Sequence, residues 1–395
     1  MSPSTQPVAD ATARLPLVTY VLAAGVFLMG TSEFIVAGIL PEIAADLGIS
    51  IAQTGLMITI FAIGMIVGTP AMAAITLKLS RRVALGLSLI VFSAGHVIVA
   101  AAGDYTLILA ARFLTALATG GFWAVAAVVA AQTAGVAMAS RAVGIVLGGG
   151  MVANVLGVPL GSFAGQAIGW RGPFWALAVL AVVGAFAVYR LIPADAPGQT
   201  PPSLASELKA LRDGRVLLVL ACCAVVTGSA LTVYSFISPL VTDVAGLPNS
   251  AVPLILVVYG LGAAIGSYVG GRVGDRNPFG LLWGSATATF VVLVALVFLS
   301  RAAVPAVVLL ILLGLFGMST NPVLIGKAVG YAKDAPTLAS AMCTSMFNVG
   351  TAIGTWVAGF AIESSLGATG PVVVGAVIGV LYFLPLGILA RHPRR

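Results

Sequence analysis

Two charged residues stand alone inside long apolar runs, Glu33 and Arg112. A charge at the centre of a membrane-spanning helix costs about 2.5–3.5 kcal/mol on insertion scales, so residues of this kind mark function by default. A carboxyl in that position takes up or releases a proton according to how wet its surroundings are. An arginine cannot exchange protons at working pH, but it can supply a counter-charge. The pair predicts a proton carrier, Glu33, beside a switchable partner, Arg112, in direct contact or through water. Two plainer readings stay open: a structural acid hydrogen-bonded to its neighbours, and a fixed ion pair that only specifies packing.

The elements that hold these residues follow from composition. The chain has 395 residues, 60% of them hydrophobic and 8% charged, with a mean hydropathy of +1.13. Soluble domains are about a quarter charged. Side chains this apolar are solvated by lipid, where only helices and closed barrels satisfy their own backbone. Continuous apolar runs of roughly twenty residues, rather than alternation, select helices. The runs predict twelve spans, at 17–40, 53–77, 83–103, 106–132, 143–165, 173–192, 216–240, 250–271, 280–300, 305–330, 340–362 and 371–390. The expected class is an all-α membrane protein of two six-helix bundles, 1–192 and 216–395, joined by a polar, proline-bearing linker over 193–215. The first run is too long and too polar for a cleaved signal.

Of the nineteen Lys and Arg residues, all but Arg112, Arg171 and Arg301 fall on one side if the N-terminus is inside. That bias predicts cytoplasmic termini in a cell membrane. It also assigns the net charge of +7 to orientation rather than to nucleic acid. Arg112 and Glu33 then both lie in the outer halves of their spans.

The two halves repeat. At an offset of 198, Gly30 meets Gly228, Pro41 meets Pro239, Gly64 meets Gly262, Gly68 meets Gly266 and Lys78 meets Arg276. Further on, at 193 or 194, Asn154 meets Asn348, and Gly157 and Gly161 meet Gly350 and Gly354. An even number of spans per unit makes the repeat parallel. The repeat partner of Glu33 is Leu231, so the fold itself does not require an acid there.

These residues resemble the major facilitator superfamily, and within it the twelve-span drug:proton antiporter branch with its chloramphenicol exporters and sugar-efflux permeases. The resemblance covers nearly the whole chain. Gly30-Thr31-Ser32-Glu33-Phe34, Gly38-Ile39-Leu40-Pro41 and Asp46-Leu47-Gly48 are similar to that subgroup's first span and loop. The segment 73–82 occupies the place of the family's G-x-x-x-D-R-x-G-R-R loop, with Ala73, Leu77 and Ser80 replacing Gly, Asp and Gly while Lys78, Arg81 and Arg82 stay basic. Its counterpart in the second half keeps Gly271, Asp275 and Arg276. Arg112 occupies the family's fourth-span arginine position. Asn154, Gly157, Pro159 and Gly161 resemble the fifth-span antiporter motif. The resemblance implies two bundles around a cavity that opens to alternate sides, with Arg81, Arg82, Asp275 and Arg276 as latch residues.

Gly157, Gly161 and Gly165 recur every four residues, as do Gly262, Gly266 and Gly270. Such stripes let helices approach closely, for static packing, for gating in a seam between halves, or for both. Candidates to line a cavity are Met29 and Gly30 near Glu33, Trp123 three turns from Arg112, Phe61, Tyr234, Tyr259, Asn321, Phe347, and the repeat-related Asn154 and Asn348, whose amides need partners when buried. The lone span histidine, His96, reads as a structural hydrogen-bonder, and Cys222, Cys223 and Cys343 as core residues without metal spacing.

The expected function is proton-coupled efflux of a small neutral or amphipathic organic molecule. By resemblance phenicols rank first and sugars second. A sugar-efflux permease and an uncoupled uniporter or channel are the alternatives. An enzyme is not expected, because H-E-x-x-H and G-x-S-x-G are absent and there are two histidines, His96 and His392. Nor is an ATP-driven pump, since no G-x-x-x-x-G-K-[ST] occurs. The expected partners are the substrate, protons and the bilayer. No cofactor, metal or nucleic acid is expected, and the protein is expected to act as a monomer.

Overall fold

The computed structural model describes residues 15–75, 79–135, 138–192, 213–332 and 335–391. Leu77 and Lys78, the linker over 193–212, and Arg14, Lys333, His392, Arg394 and Arg395 lie outside the described residues. Among the described residues the regular structure is helical, and twelve helices are long and apolar enough to cross a membrane. Spans 1 to 6 are Leu17–Gly38, Ile51–Ala71, Arg81–Ala101, Tyr105–Ala134, Ala139–Ile168 and Arg171–Leu191. Spans 7 to 12 are Gly214–Ser235, Asn249–Arg276, Pro278–Leu299, Ala303–Tyr331, Leu338–Ile362 and Gly367–Arg391. The face that carries the first and last described residues is called here the terminal face, and the opposite one the far face. Large apolar side chains such as Phe163, Phe298 and Val304 remain well exposed, as lipid solvation requires.

Polar side chains start several spans. Ser80 accepts from the Val83 amide at 3.3 Å, Asp104 from Leu107 at 2.7 Å, and Asn277 from Gly280 at 3.0 Å, satisfying donors that have no partner within the helix.

The expected 143–165 span is longer, Ala139–Ile168, and it is interrupted by a wide turn at Ala153–Gly157. Pro159 accounts for the interruption, because it lacks the N–H that would close onto the residue four earlier. Span 1 ends in a tight turn at Ile35–Gly38, followed by a short helix, Leu40–Leu47. Span 7 breaks at Phe236 in the same way, with a wide turn at Leu240–Val244. Pro41 and Pro239 mark the matching breaks. Both extensions close on a left-handed glycine, Gly48 at φ 63° and Gly246 at φ 67°, a conformation that favours glycine. These two lie 198 residues apart, so the repeat extends to the backbone of the far-face loops.

The apolar core has one small cluster, Phe61, Met65 and Ala116, and three large parts. One occupies the far-face half and is continuous across both bundles, joining Ile35, Ile39 and Leu40 to Tyr234, Phe236 and Leu256. The terminal-face half instead holds two separate cores, one per bundle: Leu22, Met29, Phe92 and Phe122 in the first, and Val219, Cys223, Leu324 and Leu386 in the second. The bundles are thus fused at one face and distinct at the other. The main contacts between them run through spans 2 and 11, spans 5 and 8, and the far ends of spans 1 and 7.

The glycine stripes serve each bundle internally. The nearest neighbours of Gly157 and Gly161 are Thr31 and Ile35 of span 1 and that of Gly165 is Ile39 just beyond it, while Gly262, Gly266 and Gly270 lie on the backbone of span 10. The reading of Gly157 and Gly161 as lining a seam between halves is corrected accordingly. The backbone approach across the junction is made by Gly260 of span 8 against Asn154 and Val155 of span 5.

Candidate functional site

Glu33 lies near the far end of span 1, just before the helix tightens at Ile35. It is deep in the protein yet partly accessible. Among the described residues no hydrogen bond or ion pair reaches its carboxylate. The next residue, Phe34, meets Tyr234 of the second bundle, which places Glu33 at the junction of the two.

Arg112 is completely buried. Of the two expected approaches to Glu33, direct or through water, the direct contact is not made: Nη1 donates to the carbonyl oxygen and Oγ of Ser32, each at 3.0 Å. The guanidinium carbon lies 4.3 Å from the centre of the Phe61 ring, a cation–π contact. Ser32 Oγ also lies 2.8 Å from His96 Nε2, and His96 Nδ1 lies 2.7 Å from the Phe92 carbonyl oxygen. A carbonyl only accepts, so Nδ1 carries the hydrogen and Nε2 accepts from Ser32. His96 is therefore structural, as its isolation suggested, but what it supports is the arginine.

The second bundle contributes an aromatic pair. Tyr234 and Tyr259 lie with ring centroids 4.6 Å apart, and Phe34 meets Tyr234 edge-on at 5.7 Å. Tyr259 is the repeat partner of Phe61. The ring that carries the arginine in one bundle is thus a phenol packed at a tilt against another phenol in the other. Trp123 closes the side nearer the terminal face, its indole against Gly30 and Gly150, with Ala153 also on Gly30. Asn154 follows on span 5, against Gly260 and so beside Tyr259.

The other candidates separate from this group. Met29 is fully buried in the first bundle's own core, so its proposed cavity role is corrected to packing. Gly30 is a point of close approach rather than a lining residue. Asn321 lies at the break of span 10, donating to Met318 Sδ at 3.6 Å, and Phe347 packs on the terminal-face core of the second bundle. Asn348 donates to the Thr344 carbonyl at 3.1 Å, as Asn154 does to that of Gly150 at 3.3 Å, so the repeat extends to how the two amides are held. At the terminal face Arg82 stands over the Tyr189 ring at 3.8 Å. Asp275 and Arg276 are exposed, and Asp275 lines a cleft of about 320 Å³ with Pro322 and Lys327.

Polar contacts that sequence reasoning missed join the bundles toward the far face. Asn249 Nδ2 donates to Glu42 Oε1 at 2.7 Å, Ser50 Oγ to Glu363 Oε1 at 2.6 Å, and Gln166 Nε2 to the Asn249 carbonyl at 3.0 Å. Thr59 and Thr355 share a hydrogen bond at 2.7 Å. Within the first bundle Arg171 and Trp170 both bind Asp46.

The sequence profile of the Major Facilitator Superfamily matches residues 22–335. A chloramphenicol resistance protein of Streptomyces lividans is 37% identical over 360 residues, covering 90% of this chain and 92% of the relative. The inner membrane transport protein YdhP of Escherichia coli (strain K12) is 33% identical over 370 residues, covering 94% and 95%. Among solved structures, a bacterial homologue of the human lysosomal transporter Spinster, in an inward-facing and occupied conformation, superimposes with a TM-score of 0.75 at 15% identity, over 95% of this chain and 96% of that one. A sequence profile matched over most of the length, together with twelve spans in two repeated bundles, places this multi-pass membrane protein in the Major Facilitator Superfamily, whose members are transporters.

Proposed function

We propose that this protein is a proton-coupled exporter of small neutral or amphipathic organic molecules, phenicol-like compounds first among them, working by alternating access from the cell membrane. The observation that carries the reading is Glu33: a deep, partly accessible carboxylate at the bundle junction, without a hydrogen-bond partner among the described residues, beside an arginine whose Nη1 is fixed on Ser32. An acid free of partners can load and release a proton as the cavity changes sides. A carboxylate locked in an ion pair could not do so as readily.

The positive-inside bias makes the terminal face cytoplasmic. The fused far-face core then closes the protein to the outside, and the two separate terminal-face cores let substrate reach the centre from the cytoplasm or inner leaflet. In the opposite state Glu33 meets the outside medium and is protonated, and the return carries that proton inward. One titratable acid implies one proton per cycle, worth about 2.3 kcal/mol per 100 mV. The similarity to a chloramphenicol resistance protein supports export and sets the phenicol preference.

The test is accumulation of chloramphenicol in cells stripped of other exporters, comparing wild type with Glu33→Gln, with and without a protonophore. The wild type should keep energised cells low in drug, and the protonophore or the Gln variant should each abolish that difference. Normal export by Glu33→Gln would overturn the reading. Drug movement that ignores the proton gradient would identify a uniporter or channel instead.

A further inference from the structure

The interior around Glu33 holds several buried hydrogen-bond donors that no acceptor meets among the described residues. Tyr234 and Tyr259 are 1% and 3% exposed, and neither hydroxyl has a hydrogen-bond partner among the described residues. The same holds for the buried indole Nε1 of Trp123 and for Nε and Nη2 of Arg112. A buried donor without an acceptor is costly, so native interiors pair them or present them to a ligand. These groups belong to one region. The tyrosine rings pack against each other at a tilt, Phe34 links Tyr234 to Glu33, Trp123 reaches Gly30 one turn from Glu33, and Arg112 lies beside Ser32.

Two of the four side chains, tryptophan and arginine, can only donate; a phenol can also accept. Against them stand the Glu33 carboxylate and the amide oxygen of Asn154. The formal charges of Glu33 and Arg112 cancel, so the region has no excess of negative charge to draw in a cation. What it offers is unused donor capacity between aromatic walls.

We propose that Tyr234 and Tyr259, with Trp123 on the side nearer the terminal face, form the specificity-determining subsite, and that it selects neutral substrates rich in acceptor oxygens, such as nitro, carbonyl and amide groups, over lipophilic cations. This deepens the exporter reading and rests on it. The phenols come from the second bundle, and Glu33, Arg112 and Trp123 from the first. A ligand that bridges them therefore senses both bundles at once. Its hydrogen bonds form and break with their relative motion, which is the differential interaction that coupling requires.

The test uses full-length protein in lipid nanodiscs and two probes of comparable molecular mass: chloramphenicol, which carries nitro and amide oxygens, and tetraphenylphosphonium, a lipophilic cation with no oxygen. Wild type should bind chloramphenicol at least tenfold more tightly than the cation. Tyr234→Phe and Tyr259→Phe retain the ring and remove only the hydroxyl, and each should weaken chloramphenicol binding about threefold to tenfold while leaving cation binding unchanged. Thermal melting of each variant should match wild type, separating affinity from folding. Unchanged chloramphenicol binding in both variants, no binding by wild type, or equal affinity for the cation would overturn the proposal. Failure of the exporter reading is distinguishable, because it appears as wild-type transport indifferent to Glu33→Gln and to the proton gradient, whatever the phenol variants bind.

Discussion

Arg112 is tied to Ser32 and not to Glu33, the next residue in the chain, with both serine oxygens 3.0 Å from one guanidinium nitrogen. The positive charge is thereby parked beside the carboxylate without neutralising it in a direct pair. Lysine at 112 would retain the charge but lose the planar fork and its contact with the Phe61 ring. Arg112→Lys should lower gradient-driven export at least tenfold with near-normal membrane insertion, measured as initial efflux rates normalised to protein in the membrane.

The hydrogen-bond chain behind that arginine is directional: Arg112 to Ser32, Ser32 to His96, His96 to the Phe92 carbonyl. Ser32→Ala removes an acceptor from the arginine and a donor from the histidine together. The expected cost is about 1–3 kcal/mol, because two buried groups lose a partner. Ser32→Thr keeps the hydroxyl and should recover part of the loss. Thermal melting of the purified variants checks both outcomes, and equal melting of all three proteins would refute the chain.

What could be foreseen and what could not divide along physical lines. Span number follows from the length of apolar runs, and Glu33 and Arg112 stand out because charge in hydrocarbon is rare, so both were legible. The partners of Arg112 were not. Ser32 and His96 lie 64 residues apart on different spans, and no periodicity within one helix records which helix it faces. The glycine stripes show the same limit: spacing marks a face made for close approach, while its neighbour depends on how the bundle packs. Helix breaks were legible in part. Pro41, Pro159 and Pro239 were visible, but whether a proline yields a tight turn, as after span 1, or a wide one, as within span 5, is decided by the surrounding packing.

The far-face clasp crosses the junction through side chains of opposite bundles, Asn249 on Glu42 and Ser50 on Glu363. Opening that face must break both. Asn249→Ala should remove about 0.5–1.5 kcal/mol from the closed state and move the equilibrium toward far-face opening by roughly twofold to tenfold. Spin labels at Asp104 and Leu366, exposed in loops of different bundles, report this as growth of the longer distance population. An unchanged distance distribution would remove the clasp from the gating scheme.

Asp46 ties the short helix after span 1 to the start of span 6. The hydrogen bond from Arg171 holds its carboxyl below the ordinary value of 3.8, with Trp170 adding a second bond. A carboxylate with a depressed native value contributes stability above the unfolded value, and that contribution is lost as pH falls through the depressed one. The melting difference between wild type and Asp46→Asn should therefore be constant from pH 7 to about pH 5 and shrink below about pH 4. The effect should be small, because Asp46 is largely exposed and solvent screens the pair. A difference that grows on acidification would contradict the assignment.

Helix contact in the second bundle depends on the absence of a side chain at Gly266. A Cβ there would land on the Leu315 backbone of span 10, which cannot yield as the tip of a flexible side chain could. Gly266→Ala must push spans 8 and 10 apart, at an expected cost of about 1–3 kcal/mol. Gly284, inside span 9, provides the control, because a Cβ there meets nothing within 4 Å. Gly284→Ala should be neutral or stabilising by up to about 1 kcal/mol, since alanine favours a helix over glycine. Melting of the two variants in detergent should therefore shift in opposite directions or by clearly unequal amounts. Equal behaviour would mean that the close approach of spans 8 and 10 contributes nothing to the stability of the bundle.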